Sequence, residues 1–457
     1  MATTPGSSTE RPAWAARSAR GQAPARDART GSGRPPQVLL TRNLVRSIQA
    51  GHPWLYREAL QAPPVLPTGT VVDLVDRAGR FLGRGLYDAE SPIALRLFTL
   101  DRGEAIDAAL VQRRLAEALA LRRRTVEGLG EQTSAFRLCH GEGDRLPGLV
   151  IDVYDHVAVL ICDGAAAQSL VPAATAAVLD LLADLGVRTV YERQQRRSGG
   201  GGRTLHGELA PGEAGSPEDP LRSDDSLRSD DSLRSDDSLR PGEVLVREHG
   251  MRLLVDVVSG QKTGLFIDQR ENRRRIRGCA AGLTVWNGFS YTGGFSVAAA
   301  LGGARRVVTV DRAAPAVETA RRTFRHNRLD PDAHGFVVAD VFEELSAMHR
   351  RGERFDLVIV DPPSFAKAEK DVPAALAAYR ELHRLALDAV QPGGLLAAAS
   401  CSSHVDEAAF LGTLAEAATA AGRPLRFLEI HGQPADHPTL PAFAEGRYLK
   451  FVLCAAG

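Results

Sequence analysis

The chain contains 457 residues, and its 56 lysines and arginines balance 56 aspartates and glutamates. This length predicts two or three domains, and contents of 44% hydrophobic and 25% charged residues are typical of an ordinary globular protein. Because the net charge is zero, the chain is not globally basic, and any surface that binds nucleic acid must be local.

Cysteine spacing and hydropathy exclude several other classes of protein. The five cysteines lie far apart and form no C-x-x-C pair, so neither a disulfide framework nor a zinc site is expected. No apolar stretch approaches the roughly 18 residues of a transmembrane helix. The N-terminus carries arginines but no apolar segment before a cleavage site, unlike a secretory signal. We therefore expect a cytoplasmic protein without a bound metal.

The first hundred residues divide into a tail and a small domain. Residues 1–36 are rich in Ala, Arg, Gly, Pro and Ser without hydrophobic periodicity, which predicts a disordered basic tail. Over residues 37–100, short apolar segments such as Phe81–Tyr87 and Ile93–Leu97 alternate with turns. That spacing indicates a small β-barrel.

Residues 101–260 predict a central α+β domain with an insert. A helical period over 104–129 is followed by strand-like segments at Val157–Cys162 and Arg188–Tyr191. The arginines of the helical segment could form a solvated face or a strip that contacts RNA, and the solvated face is the default expectation. Residues 198–241 contain a glycine run and six-residue repeats of Leu-Arg-Ser-Asp-Asp-Ser. This period matches neither helix nor strand and predicts an unstructured loop.

Apolar strands and helices alternate along residues 261–457, which predicts an α/β fold with a doubly wound, Rossmann-like sheet. The expected strands are Leu283–Trp286, Val307–Val310, Phe336–Val338, Phe355–Val360, Leu395–Ala399, Leu425–Ile430 and Tyr448–Leu453. In such a sheet, ligands bind at the carboxyl ends of the strands. The residues that follow each strand are therefore the candidate site.

A glycine-containing turn, Asn287–Phe295, follows the first of these strands. Its candidate ligand-binding residues are Phe289, Tyr291 and Gly293. Glycines let the backbone approach a ligand closely, and the N-terminus of the following helix offers unpaired N–H groups. The turn is neither the G-x-G-x-x-G of dinucleotide-binding proteins nor a Walker loop.

Aspartates follow the next three strands. Asp311 stands where a carboxylate commonly accepts hydrogen bonds from ribose hydroxyls, and Asp340 stands where a polar side chain can hold an adenine amine. Asp361-Pro362-Pro363 follows the fourth strand, and Asp361 and Pro362 are candidate contacts to the same ligand. The glycine turn and these aspartates, at four successive strand ends, together predict a site for S-adenosylmethionine (SAM).

The turn Asp361-Pro362-Pro363-Ser364-Phe365 also indicates a planar substrate. Two prolines fix a rigid turn and expose carbonyl groups towards a flat, amino-bearing base. In amino-group methyltransferases an aromatic residue follows directly, whereas here Ser364 precedes Phe365. This offset argues against simple methylation of an exocyclic amine.

Cys401, at the end of the fifth strand, indicates a different chemistry. C5 of a pyrimidine is poorly nucleophilic, and attack of a thiolate on C6 enables C5 to take a methyl group. The alternative is that Cys401 is a small buried hydrophobic residue. Its polar neighbours, including Ser400, Ser402 and His404, favour the nucleophile.

Four motifs together resemble the bacterial large-subunit rRNA cytosine-C5 methyltransferase family. They are Lys262–Arg270, Phe289–Phe295, Asp361-Pro362-Pro363 and Ser400-Cys401-Ser402, and the likeness covers residues 38–457 apart from the 198–241 insert. The resemblance implies an N-terminal PUA domain that binds RNA, matched at Gly51-His52-Pro53-Trp54. It further implies a central mixed domain and a C-terminal Rossmann-like domain that binds SAM.

By the same resemblance, Cys401 would be the nucleophile. The residues implied to line the donor site are Gln269, Arg270, Tyr291, Gly293, Asp311, Asp340 and Asp361. The chain departs from the two-cysteine type of RNA cytosine-C5 enzyme, because Pro363-Ser364 stands where a second cysteine would follow the proline. The base that removes the C5 proton is therefore unassigned, and Asp361 is a candidate.

Several side chains could contact RNA. A cytosine in folded RNA must leave its stack to reach Cys401, and Phe365 could either stack on that base or belong to the core. His52, Trp54 and Arg57 of the first domain could hold an RNA loop, and core packing is an equal alternative for Trp54.

The sequence thus predicts methyl transfer from SAM to cytosine C5 in large-subunit rRNA, either naked or in an assembly particle. One alternative is methylation of a guanine or an exocyclic amine in RNA, with Cys401 structural. Another is an RNA-binding assembly factor without activity. No membrane partner is expected, and the oligomeric state is left open.

Overall fold

The computed structural model describes residues 34–63, 65–194, 201–209 and 238–457. The predicted basic tail, apart from residues 34–36, and most of the six-residue repeats lie outside these ranges. Within the unit Gln37–Gly457, the described strands form four sheets of six, five, two and seven strands.

The first sheet corresponds to the predicted small β domain. Its elements are β1 Gln37–Leu40, α1 Val45–Gln49, β2 Trp54–Tyr56, β3 Leu60–Gln61, β4 Val71–Val75, β5 Phe81–Tyr87 and β6 Ile93–Thr99. The strand order is β2-β6-β5-β4-β1-β3, and only the β1–β4 pair is parallel among the described pairs. Val38, Leu74 and Leu95 are fully buried in its core. The predicted alternation of short strands and turns is confirmed.

The second sheet forms the central α+β region. Its elements are α2 Ala108–Thr125, β7 Ala135–His140, β8 Leu149–Tyr154, β9 Val157–Cys162, α3 Val171–Leu181, β10 Thr189–Arg193 and β11 Gly202–His206. The order is β11-β10-β9-β8-β7, with β11 antiparallel to β10. The prediction of an unstructured insert is wrong for Gly202–His206, because the free edge of β10 supplies hydrogen-bond partners despite the glycine run.

Two arginines of α2 are buried, so the expectation of a solvated face is wrong for them. Arg122 is fully buried, and its guanidinium forms two 2.6 Å hydrogen bonds with the Asp144 carboxylate. Arg114 donates to the Phe98 carbonyl oxygen at 2.9 Å and to Glu104 at 3.0 Å. A buried guanidinium is tolerated when such partners satisfy it, and sequence periodicity does not reveal them.

A hairpin precedes the large sheet. The elements from here to the C-terminus are β12 Glu243–Glu248, β13 Met251–Asp256, α4 Arg270–Cys279, β14 Thr284–Gly288, α5 Gly294–Leu301, β15 Arg306–Asp311, α6 Ala314–His326, β16 Gly335–Val338, α7 Val341–Arg351, β17 Phe355–Val360, α8 Val372–Asp388, β18 Val390–Ser400, α9 Glu407–Ala420, β19 Leu425–His431 and β20 Lys450–Ala456. All seven predicted strands are present, several extended by a few residues. The predicted doubly wound α/β sheet is confirmed.

The large sheet has the order β16-β15-β14-β17-β18-β20-β19. β20 is antiparallel to β18 and β19, whereas the other neighbouring strands are parallel. Successive strands are added on one side of β14 up to β16 and then on its other side from β17 onwards. This switch opens a crevice at the carboxyl ends of β14 and β17, where open α/β sheets bind ligands.

Strand residues alternate between two cores because successive side chains point to opposite faces of the sheet. Val285, Leu357 and Ile359 join the core beneath α4, α5 and α6. Trp286 and Val358 join the core beneath α7, α8 and α9. Apolar runs on both faces therefore produce the buried parallel strands that the sequence predicts.

The buried carboxylate of Asp436 joins the central region to the C-terminal region. Arg270 donates two hydrogen bonds to it, at 2.7 and 3.1 Å, and the Arg137 amide donates a third at 3.0 Å. The Asp436 carbonyl oxygen accepts a bond from Arg122 at 2.9 Å. A Cβ on Gly143 would lie 1.9 Å from the Pro438 carbonyl oxygen, so the two backbones meet closely there.

Replacement of Asp436 is expected to be strongly destabilising. Asp436→Asn removes the charge that compensates a buried guanidinium, and the free energy of unfolding should fall by about 3–5 kcal/mol. Asp332→Asn is the control, because Asp332 is 90% exposed and its 3.3 Å ion pair with Arg321 should contribute less than about 1 kcal/mol. Urea unfolding of both variants measures the difference. Equal losses would contradict the role of Asp436.

Candidate active site

A cavity of about 500 Å³ lies at the carboxyl ends of β14, β15, β17 and β18. It is lined by Gln261, Lys262, Leu265, Phe266, Asp268, Gln269, Arg273, Phe289, Ser290, Tyr291, Thr292, Gly294, Phe295, Asp311, Arg312, Ala313, Ala339, Asp340, Val341, Phe342, Asp361, Pro362, Pro363, Phe365, Cys401 and Leu449. Most of the site residues predicted in the C-terminal domain are therefore brought together. Gly293 and Arg270 are not among the lining residues.

The turn after β14 is shaped by left-handed backbone. Phe289 and Tyr291 have φ values of 56° and 48°, and Gly293 has a φ of 79°. A Cβ on Gly293 would lie 2.6 Å from the Cβ of Ala320 on α6. Gly293 thus allows the turn to pack against α6 just before α5 begins, and it serves the cavity through backbone geometry rather than by lining it.

Two of the predicted aspartates support neighbouring backbone as well as facing the cavity. Asp311 accepts hydrogen bonds from the Tyr291 and Ala313 amides, each at 2.9 Å, through its two carboxylate oxygens. Asp340 caps α7 by accepting from the Phe342 amide at 2.9 Å. Both carboxylates are consequently held in fixed orientations at the cavity wall.

Asp361 lies where β17 ends, in a region of mixed charge. Burial and the negative charge of Asp268 raise the pKa of the Asp361 carboxyl to about 7, although Lys262 and a hydrogen bond from Gln269 oppose the shift. A carboxylate with a pKa near neutrality can accept a proton at physiological pH. Asp361 is therefore suited to act as a general base.

Cys401 lies in the turn after β18, between Ser400 and Ser402. The Tyr379 hydroxyl donates to Ser400 at 2.8 Å and lies 3.0 Å from the Ser402 hydroxyl. The Ser402 hydroxyl is also 3.1 Å from that of Ser364, in the turn after Asp361. These bonds join the cysteine turn to the proline turn and leave Cys401 to line the cavity.

In the protein alone, ionisation of the Cys401 thiol is disfavoured. Burial raises its pKa above the usual value, Lys262 lowers it, and the charges of Asp361 and Asp268 raise it. Lys450 also lowers this pKa. Because only the thiolate is strongly nucleophilic, the cations around Cys401 decide its reactivity.

Lys262 and Asp268 belong to the site although the sequence singled out neither as a site residue. The Lys262 ammonium donates to Asp268 at 3.1 Å and lies 4.6 Å from the Phe266 ring centre. The Tyr448 hydroxyl donates to the same carboxylate oxygen of Asp268 at 2.7 Å. Both residues fall within the motif Lys262–Arg270, which could have indicated that they belong to the site. Their contact with each other, however, is visible only in the folded structure.

The structure corrects the predicted role of Arg270. Its side chain is only 1% exposed and is occupied by the Asp436 carboxylate, outside the cavity lining. Arg273, one helical turn further along α4, lines the cavity instead. Arg273 is itself held by Glu248, with a 2.7 Å hydrogen bond.

The predicted RNA-binding residues of the first domain contact the protein itself. Trp54 donates to Glu142 at 2.7 Å and packs edge-on against Phe443, 4.6 Å between ring centres. His52 lies 3.6 Å from Glu445, and the exposed Arg57 donates to two backbone carbonyl groups. For Trp54, these contacts favour packing, and RNA binding by all three remains a prediction.

Phe365 is half-buried at the cavity wall. Its ring centre lies 4.8 Å from that of Tyr379 and 6.4 Å from that of Phe342. It therefore belongs to an aromatic cluster and also faces the cavity, so both roles considered for it are compatible with its position.

Two other structural features bear on function. Within the described ranges, no cluster of three or more His, Cys, Asp or Glu side chains has the arrangement of a metal site. No described helix is both long enough and apolar enough to span a membrane.

The cavity suits SAM in size and chemistry. Its volume falls within the usual range for small-molecule sites. Asp311 offers acceptors for ribose hydroxyls, and Phe342 offers an apolar ring for a purine. One oxygen of the buried Asp268 carboxylate has no hydrogen-bond partner among the described residues, so an acceptor remains for a positively charged ligand group.

Comparisons with known proteins agree with this geometry. Residues 208–452 match the family model of S-adenosylmethionine-dependent methyltransferases, and residues 38–100 match that of a PUA-like domain. A SAM-dependent methyltransferase structure from Streptococcus mutans has a TM-score of 0.74 at 23% identity, over 92% of this chain and 100% of the other. A second methyltransferase, solved with S-adenosylhomocysteine, gives 0.75 at 23% identity over the same shares. These two structures support the fold.

Curated relatives are more similar in sequence. Ribosomal RNA large subunit methyltransferase I of Klebsiella pneumoniae is 35% identical over 420 residues, which cover 92% of this chain and 98% of the relative. The protein of the same name from Salmonella newport is 34% identical over 423 residues, covering 92% and 97%. The chain therefore belongs to the S-adenosylmethionine-dependent methyltransferase family that includes ribosomal RNA large subunit methyltransferase I.

Proposed function

We propose that the protein methylates C5 of a cytosine in large-subunit rRNA through a covalent adduct with Cys401. The observation that carries the proposal is the position of Cys401, which lines the donor cavity together with Asp361. The names of the curated relatives support rRNA of the large subunit as the substrate. The PUA-like match at residues 38–100 supports RNA binding.

Cys401 performs the first and last steps. Its thiolate attacks C6 of the cytosine, forming an S–C6 bond and moving electron density to C5. When bound, SAM supplies an electrophilic methyl group for that carbon. After the C5 proton has left, the electrons of the C5–H bond restore the double bond and expel the thiolate.

Asp361 is proposed as the base that takes the C5 proton. It lines the same cavity, and its pKa of about 7 lets it accept a proton near physiological pH. The chain has Ser364 where two-cysteine enzymes have a second cysteine, and the Ser364 hydroxyl bonds Ser402. Ser364 therefore supports the turn, and the Asp361 carboxylate is left to accept the C5 proton.

Donor contacts are assigned to the predicted residues that line the cavity, namely Gln269, Phe289, Tyr291, Asp311, Asp340, Asp361 and Pro362. Phe365 is proposed to flank the flipped cytosine, because its ring lies on the cavity wall in an aromatic cluster. Stacking on aromatic rings is how proteins commonly hold unstacked bases.

Methylation of an exocyclic amine is the second candidate. The acidic-Pro-Pro turn favours it, because Asp361, Pro362 and Pro363 all line the cavity. It gives Cys401 no chemical role, so the two reactions differ in their dependence on the thiol. A protein that only binds RNA would show neither product.

Removal of the thiol tests the nucleophile. Cys401→Ala should lower formation of 5-methylcytidine by about 10³-fold or more, since the covalent route is lost. The measurement is digestion to nucleosides after incubation with methyl-labelled SAM and unmodified large-subunit rRNA. Cys279→Ala is the control, because Cys279 lies on α4 outside the cavity lining. Undiminished 5-methylcytidine in Cys401→Ala, or label only in another nucleoside, would contradict the mechanism.

Removal of the carboxylate tests the base. The log of kcat/KM should rise with pH and bend near pH 7, where Asp361 becomes deprotonated. Asp361→Asn should lower kcat by about 10²–10⁴-fold and abolish that bend, leaving the rise that belongs to the thiol. Asp356→Asn is the control on the same strand, because its carboxylate faces Thr284 at 2.7 Å, at the opposite end of β17. A bend near pH 7 that persists in Asp361→Asn would exclude Asp361.

A further inference from the structure

Two of the four lysines in the chain lie around Cys401: Lys262 lines the same cavity, and Lys450 donates to the carbonyl oxygen of the next residue, Ser402. Lys450 is 4% exposed, and its ammonium donates to the carbonyl oxygens of Ser402, Val405 and Tyr448 at 2.6, 2.7 and 2.8 Å. All three of its protons are thereby committed to backbone. Lys450 therefore holds the loop after Cys401 in place.

Lys262 retains donors for the cavity. Among the described residues, Asp268 is its one hydrogen-bond acceptor, at 3.1 Å. Its ammonium lies over the rings of Phe266 and Tyr448, 4.6 and 5.7 Å from their centres. Its side chain is 43% exposed and lines the same cavity as Cys401. A cation is thus held at the cavity by one carboxylate and two aromatic faces.

The anchor of this cation is itself rigid. Asp268 is 4% exposed, and the same oxygen that accepts from Lys262 accepts from the Tyr448 hydroxyl at 2.7 Å. The next residue along the chain, Leu449, lines the cavity, and Lys450 begins β20. Lys262 is consequently fixed relative to the loop that carries Cys401.

We propose that Lys262 is a positioning residue that stabilises the Cys401 thiolate, an inference that rests on the proposed nucleophile. The attacking group must carry negative charge before it meets the base, and burial opposes that charge. A nearby ammonium with free N–H groups offsets the loss of water around sulfur. The aromatic faces keep it in place without neutralising it.

The charged groups that act on Cys401 determine the direction in which each substitution should shift its pKa. Lys262 and Lys450 favour the thiolate, whereas Asp361 and Asp268 oppose it. Loss of Lys262 should therefore raise the pH at which the thiol ionises, and loss of the Asp268 charge should lower it. Opposite shifts from two residues in direct contact would be difficult to obtain from a general loss of structure.

The experiment measures the rate of Cys401 alkylation by iodoacetamide against pH, read by mass spectrometry of the Cys401 peptide. The full-length protein is used without donor or RNA, so the readout does not depend on catalysis. Lys262→Met preserves the aliphatic chain and removes the charge, Lys262→Arg preserves the charge, and Asp268→Asn removes the opposing charge. The half-buried Cys279 provides an internal reference thiol in the same samples.

Lys262→Met should raise the midpoint of alkylation by about one pH unit, an approximately tenfold slower reaction below the midpoint, with the same rate at high pH. Lys262→Arg should stay within about 0.3 unit of the parent protein, and Asp268→Asn should shift it downwards. An unchanged midpoint in Lys262→Met, or equal shifts in the Met and Arg variants, would overturn the proposal. Failure of the nucleophile itself would appear separately, as Cys401→Ala protein that still forms 5-methylcytidine.

Discussion

The parallel pairing of β17 with β18 is the constraint on which the site depends. Val358 lies opposite Leu396 and Val360 opposite Ala398, so two strands that end forty residues apart in sequence finish at one edge. The turns that follow are then tied by the Ser402 hydroxyl, which accepts from the Phe365 amide at 3.2 Å. The Asp361 carboxylate and the Cys401 thiol are thereby held in one cavity by the pairing of two strands and by the hydrogen bonds of the Ser402 hydroxyl.

The buried charges of this site give its ionisable groups different pKa values. The positive charge of Lys262 acts on Asp268, Asp361 and Cys401, and the pKa of each group depends on how that charge balances burial and the neighbouring carboxylates. Asp268 loses its proton readily because Lys262 and Tyr448 stabilise the carboxylate, which holds its pKa well below the usual range despite burial. Asp361, beside that fixed negative charge, titrates near neutrality instead. Adjacent carboxylates with different pKa values are typical of acid–base sites.

Features of the fold and site that depend on local sequence pattern could be predicted, whereas those that depend on pairing between distant residues could not. Continuous apolar runs predicted the strands of the large sheet, and the turns that follow those strands contain most of the residues that line the cavity. Arg270 was predicted to line the donor site because it lies in the contiguous motif Lys262–Arg270. Its guanidinium instead binds the carboxylate of Asp436, 166 positions away. Lys262 was missed as a site residue because its contact with Tyr448 joins two distant segments, and its contacts with Phe266 and Asp268 depend on how the motif folds. Strand β11 was missed because a glycine run carries no strand signal.

The most direct test of covalent C5 chemistry is release of tritium from rRNA that carries tritium at C5 of cytosine. Every methyl group placed on C5 must displace the hydrogen already there, because the ring regains its double bond only when that proton leaves. If Cys401 forms the covalent adduct, one tritium is released to water for each methyl group incorporated, and none with Cys401→Ala. Methyl incorporation without tritium release would contradict covalent C5 chemistry and move the reaction to a nitrogen of the base.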